Sequence, residues 1–241
     1  MKRLTIYCLT CLIGVSLLFA QQGVTQCGTP TGQPKFPIET YQELPDPSSP
    51  SDKDWAAVTI PQISWGTIDT RYAKHRLPQL KKQQLTTLKG WRGERVNAQA
   101  VVWTGTEVKD LNFSFTDFKD KKGNSLSDEA FKAGFIRYVM TDELNKDGRG
   151  ACGHRQAVDY DSLLVADPID TNLKSMSVPA RTVQPIWVQC WIPQSATPGT
   201  YKGALLVKDG SRLLQQLNLE ILVSSRELPA PSEWAYHLDL W

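Results

Sequence analysis

Two short clusters carry the residue types that chemistry needs. Asp142-Glu143 sets two carboxylates side by side, and such a pair can divide acid and base work when one member has a raised pKa. Adjacent residues on a strand face opposite ways, so only an irregular backbone would turn both toward one substrate. A solvated strand end is the commoner fate of such a pair. Cys152-Gly-His-Arg155 offers a thiol and an imidazole. A cysteine nucleophile needs a base within hydrogen-bond reach, and this spacing is not that of a known catalytic pair. A packed or disulfide-bonded cysteine is the more frequent case, and Arg155 could equally pair with Asp159 or Asp161. A small thiol enzyme at Cys152 therefore ranks last among the functional readings.

The eight tryptophans suggest a different chemistry. Flat apolar rings stack on sugar faces, and Trp187 and Trp191 fall on the strand face opposite Ile186, Val188, Cys190 and Ile192. They are the candidate carbohydrate-binding residues. The competing reading has them covered by a neighbouring domain, and it is preferred because a large exposed aromatic patch is uncommon on a lone domain. No Ser-His-Asp pattern, phosphate loop or dinucleotide fingerprint is present. The three histidines, His75, His154 and His237, are scattered, and no cysteines have metal-ligand spacing. Neither a metal nor a cofactor is expected, and no residue is assigned a catalytic role.

The elements that would position these residues begin late. Residues 1–20 combine a positive start, Lys2-Arg3, with a mostly apolar run from Leu4 to Phe19 and a plausible cut after Ala20, the layout of a secretory signal peptide. The run is short for a membrane span, which needs ~20 apolar residues, so no span is expected. Val24-Thr-Gln-Cys27 loosely resembles a lipobox, though Gln26 fits poorly; a lipid anchor at Cys27 is the lesser alternative. The expected location is the periplasm or the cell surface. Removing Lys2 and Arg3 leaves 25 basic against 25 acidic residues, and a neutral chain argues against a nucleic-acid partner. Cys27, Cys152 and Cys190 remain after cleavage, an odd count whose pairing the sequence leaves open.

Residues 21–53 are rich in Pro, Ser and Gln and read as a linker or loosely packed arm. Beyond it the pattern is one of short strands. Ala57–Ile60, Ile63–Asp69, Val96–Thr104, Leu111–Thr116 and Phe135–Met140 read as strands, and Arg76–Lys89 as a loop or short helix. Val96, Ala98, Ala100 and Val102 share one face, with Asn97 and Gln99 on the other. A helical turn is expected within 127–134, and 141–182 reads as a long polar connection holding apolar pieces such as Leu163-Leu-Val165. Asp209-Gly210 marks a hairpin, whose returning strand puts Leu213, Leu217, Leu219, Ile221 and Val223 on one face. Alternating strands without a long amphipathic helix predict an all-β, antiparallel β-sandwich, Ig-like or jelly-roll-like, over residues 54–228. Leu228-Pro-Ala-Pro-Ser232 is a linker, and Glu233–Trp241 reads as a first strand with no partner of its own.

An ordered set of motifs gives this sandwich a family. Trp65-Gly-Thr-Ile-Asp-Thr-Arg-Tyr72, Trp91-Arg-Gly-Glu-Arg95, Arg137–Glu143 and Cys152-Gly-His-Arg155 form its first part. Leu164–Asp170, Pro185-Ile-Trp-Val188, Pro198-Gly-Thr-Tyr-Lys-Gly203 and Trp234–Trp241 complete it. Together they resemble the N-terminal β-sandwich of glycoside hydrolase family 123-like proteins of Bacteroides-type gut bacteria. The resemblance implies a following TIM barrel that removes terminal N-acetylgalactosamine-type residues. There the substrate's own acetamido group would act as nucleophile beside an Asp-Glu pair, an exception to the usual two-carboxylate scheme. That pair belongs to the barrel, so the role is not carried over to Asp142-Glu143. Residues 229–241 would be a linker and the first strand of a barrel absent from this chain. The leading expectation is thus a non-catalytic sandwich of a secreted glycoside hydrolase, partnered by its own C-terminal barrel. A stand-alone carbohydrate-binding module that takes up a glycan is the alternative.

Overall fold

The structure, a computed structural model, describes residues 43–46, 49–141 and 163–235. Asp142-Glu143, Cys152-Gly-His-Arg155, residues 1–20, Cys27 and the residues from Tyr236 lie outside the described residues.

Twelve strands are described. They are β1 (Gln62–Gly66), β2 (Leu85–Arg92), β3 (Arg95–Thr104), β4 (Val108–Phe115), β5 (Phe118–Lys119) and β6 (Ser125–Leu126). There follow β7 (Phe131–Thr141), β8 (Leu163–Asp170), β9 (Ser175–Val178), β10 (Thr182–Trp191), β11 (Gly199–Asp209) and β12 (Arg212–Glu227). One sheet has the order β1-β3-β10-β7-β8; the other runs β2-β12-β11-β4-β9, with β5 and β6 appended beside β11. The strands pair antiparallel except β2, which lies parallel to β12 at an edge. The sandwich expected from the alternation is what the chain forms.

The core lies between the sheets, as alternation demands. Ala98, Ala100 and Val102 of β3 and Ile186, Val188 and Cys190 of β10 meet Leu205 and Val207 of β11 and Leu217, Leu219 and Ile221 of β12 in one cluster. Trp65 also ties the layers by a polar contact, its indole N–H donating to Asn218 O at 2.8 Å, the partner a buried indole needs.

The five-stranded sheet is covered on its outer face too, which explains the polar residues buried there. Tyr72, with Leu77 and Leu80, packs on Val101, Trp103 and Val183. The amide of Gln99 donates to Thr67 O (2.7 Å) and Thr70 O (3.0 Å). Trp55, in the one-turn helix Asp52–Trp55, donates to His75 O at 3.0 Å.

Four local expectations need correction. Ala57–Ile60 is not a strand; its Val58 O comes so close to Gly105 that a Cβ there would lie 1.8 Å away. Leu85–Arg92 is strand β2, whose rows of backbone groups are satisfied by β12 rather than by a helix. The 141–182 stretch contains two strands: β8 pairs with β7, and β9 with β4. Leu213 is half exposed, because the β11/β12 ladder shifts register between Val207 and Lys208. Val207 pairs with Gln215 and Lys208 with Leu213, so Leu214 is the extra residue of a bulge and packs against the core instead.

Pro185 sits in central strand β10, where a missing N–H should break a ladder. The register puts Ile186 opposite Phe135, so the absent donor would have faced Ile136. The buried Gln184 amide supplies it, donating to Ile136 O at 2.9 Å. The Pro185-Ile-Trp-Val188 motif is thus a strand whose proline is compensated by the residue before it.

Candidate functional site

Trp191 ends β10 and faces solvent at 55% exposure. Its strand partner is Arg95, the first residue of β3, and that guanidinium lies 4.9 Å from the indole centroid, a cation–π contact. The indole N–H donates to Gly93 O at 3.3 Å. Gly93 makes the β2–β3 turn with φ +85°, a conformation that favours glycine. A side chain there would also crowd Gln194, its Cβ 3.2 Å from Gln194 Cγ.

The chain leaving β12 returns to this turn. Leu228 N–H donates to Arg92 O at 2.8 Å, and the Gln194 amide to Leu228 O at 3.3 Å. Arg92 pairs with Glu227 at 2.8 Å. Trp234, 41% exposed, donates its indole N–H to Pro229 O at 2.7 Å. Between these pieces lies a groove of about 790 Å³, with Trp191, Trp234, Pro193 and Pro229 as apolar lining and Arg95 and Glu129 among its polar groups. Trp91 on β2 is also exposed, at 39%, with Arg226 5.4 Å from its ring centroid. Such a surface offers ring faces for stacking and charged groups for hydrogen bonds. It suits either a sugar or an apolar protein face.

Trp187, the other sequence candidate, is not brought into this groove. It lies on the same strand face as Trp191, four residues back, about 13 Å along the strand. It is half buried against Ile136, Tyr138, Leu164 and Ala166. Arg95 and Trp234 were missed by sequence reasoning. The Arg95–Trp191 pairing depends on a strand register between residues 96 positions apart, which no local pattern encodes. Cys190, next to Trp191, points into the core; burial pushes its thiol up to about 12, so it is packing material and not a nucleophile.

The Pro198–Gly203 motif is also structural. Tyr201 is buried and donates to Thr197 O at 2.7 Å. Gly203 lets the ring of Phe118 lie flat against the backbone, since a Cβ there would be 2.7 Å from three ring carbons.

No curated protein matches the chain. Among solved structures, a family 123 glycoside hydrolase from Clostridium perfringens, studied for glycolipid glycan hydrolysis, is similar with a TM-score of 0.58 and 20% identity. The match covers 72% of this chain but 29% of that one, and at this identity it shows the fold alone. PapD-like domain 7 of human CEP192 aligns over 79% of this chain and 98% of that domain, at 11% identity and a TM-score of 0.34, too low to carry an argument. The family model described as Glycoside hydrolase 123 N-terminal domain matches residues 65–209, more than half of the chain. The chain therefore belongs to the glycoside hydrolase 123 N-terminal domain family.

Proposed function

We propose that this sandwich is the non-catalytic N-terminal part of a secreted glycoside hydrolase, and that it supports a C-terminal catalytic barrel by packing against it. The observation that carries the reading is the groove at the end of β12. Trp191 and Trp234 are exposed there, and the chain departing from β12 forms one wall. An aromatic surface of this kind is what a partner domain covers. The similar Clostridium perfringens enzyme is more than three times the matched length, which leaves room for such a domain. The leader at residues 1–20 supports export to the periplasm or cell surface. Among the described residues, no helix is long and apolar enough to cross a membrane. N-acetylgalactosamine-type glycans would be the substrate of the whole protein, following the family resemblance.

The test is turnover of an aryl N-acetyl-β-galactosaminide by the purified chain. The expected result is no rate above background. Turnover that survives purification and disappears in Asp142→Asn would overturn the proposal. A second reading, glycan binding by the sandwich itself, is favoured by one observation: the indole of Trp191 is exposed beside Arg95 and Glu129. A glycan array separates the two. Binding that Trp191→Ala abolishes and Trp187→Ala leaves intact supports the module; silence on the array supports the scaffold.

A further inference from the structure

Glu43 lies in the Pro-rich arm, far in sequence from any strand it touches, yet its carboxylate has three donors. Oε2 accepts from Lys74 Nζ at 2.6 Å. Oε1 accepts from Arg137 Nε at 3.0 Å and from the backbone N–H of Tyr138 at 3.4 Å. The side chains of Glu43, Lys74 and Arg137 are only 13%, 18% and 14% exposed. This is a largely dehydrated cluster, unlike the exposed surface pairs that contribute little. Arg137 reaches on to Asp170 at 3.3 Å, so the arm is tied through one guanidinium to both β7 and β8. Three residues along, Asp46 Oδ2 lies 3.8 Å from His75 Nε2.

The fold has made room for this contact. The β7/β8 ladder changes register between Ile136 and Tyr138, and at that irregularity the Tyr138 N–H reaches the arm. Lys74 is held in turn by backbone bonds, its N–H donating to Leu164 O and its O accepting from Val183 N–H, both at 2.9 Å. The receptor for Glu43 is therefore built on the sheet, and the arm brings the carboxylate to it.

We propose that residues 43–46 form a strap clamped on the outer side of the five-stranded sheet, with Glu43 as a latch between Lys74 and Arg137 that opens on acidification. Burial alone would raise the Glu43 carboxyl, but Lys74 and Arg137 outweigh it and hold the group below its ordinary value of 4.5. A carboxylate depressed in the folded state stabilises the closed form above its free value. That contribution is lost as pH falls through the folded value. The charged groups around the latch are Lys74, Arg137 and, behind Arg137, Asp170, with Asp46 and His75 beside it. The Pro-rich segment is in consequence anchored to the sandwich at Glu43.

Hydrogen–deuterium exchange of the full chain tests this. At neutral pH a peptide covering residues 43–46 should be protected, and Glu43→Gln should speed its exchange about tenfold or more while β3 and β10 stay protected. Lys74→Gln should speed it less, because Arg137 and the Tyr138 N–H still hold Glu43, and the double variant should be no faster than Glu43→Gln alone. After correction for intrinsic rates, wild-type protection of the peptide should hold from neutral pH down to the ordinary carboxyl value of 4.5 and be lost progressively below it. Coil-like exchange of this peptide in the wild type would overturn the strap. So would equal protection in Glu43→Gln, or additive effects in the double variant.

Discussion

Gly203→Ala is the sharpest test of what the family motif does. Gly203 lies on β11, and an added Cβ would meet Cγ and both Cδ atoms of Phe118 at 2.7 Å. Carbon atoms in good contact sit at about 3.5 Å or more, so the ring must retreat by about 0.8 Å. It has little room to move: Phe118 is buried, and Phe131 stacks on it with centroids 3.9 Å apart and planes at 18°. Phe115 closes in edge-on at 6.3 Å. Overpacking of this kind costs about 1–3 kcal/mol. Replacing glycine gains about 0.4–1 kcal/mol through the unfolded chain, so the clash wins and a net loss of about 0.5–2 kcal/mol remains. For a domain of this size each kcal/mol moves Tm by about 2–4 °C, which predicts a fall of about 1–8 °C. Urea unfolding followed by circular dichroism gives the free energy directly. Phe118→Leu, which removes the flat ring face, should soften the effect of Gly203→Ala, with a coupling of about 1 kcal/mol. An unchanged or raised Tm in Gly203→Ala, or strict additivity with Phe118→Leu, would refute the packing argument. Gly203 would then be kept free of a side chain for some other reason.

Two further outcomes are expected. Gln184→Leu keeps the size of the side chain but leaves Ile136 O, opposite Pro185, without its donor; stability should drop by about 1–3 kcal/mol, while Gln184→Leu combined with Pro185→Val, which restores a backbone N–H, should recover part of it. The Cys190 thiol, pushed up to about 12 by burial, should resist alkylation at pH 8 in the native protein and react on denaturation at a rate set by unfolding. Rapid labelling of native protein at Cys190 would contradict its place in the core.

Much of the sandwich was legible because alternation is a local property. On β3 and β10 a period of two sorts residues onto two faces whatever the partner strand is, and the inward sets Val96–Val102 and Ile186–Cys190 are those that the core uses. The failures come where a non-local partner decides. Leu213 faces outward because a bulge opposite Val207 and Lys208 resets the parity. Residues 85–92 became a strand because β12 offered a free edge. β8 hid within a polar stretch, since its pairing with β7 had no turn signal next to it.

For the site the division is similar. Residue type and strand alternation marked Trp187 and Trp191 as rings opposite the aliphatic face, and the ordered motifs marked the family. Only the tertiary structure separated the two tryptophans: a cluster around Tyr138 half buries Trp187, while Trp191 stands at the sandwich end beside Arg95 and Trp234. Only the fold could show that Glu43, in a stretch whose composition reads as linker, meets two partly buried cations. Composition describes what a segment could bury by itself. It does not register a receptor assembled from residues 31 and 94 positions away, because burial and charge pairing are set by what the rest of the chain brings into contact.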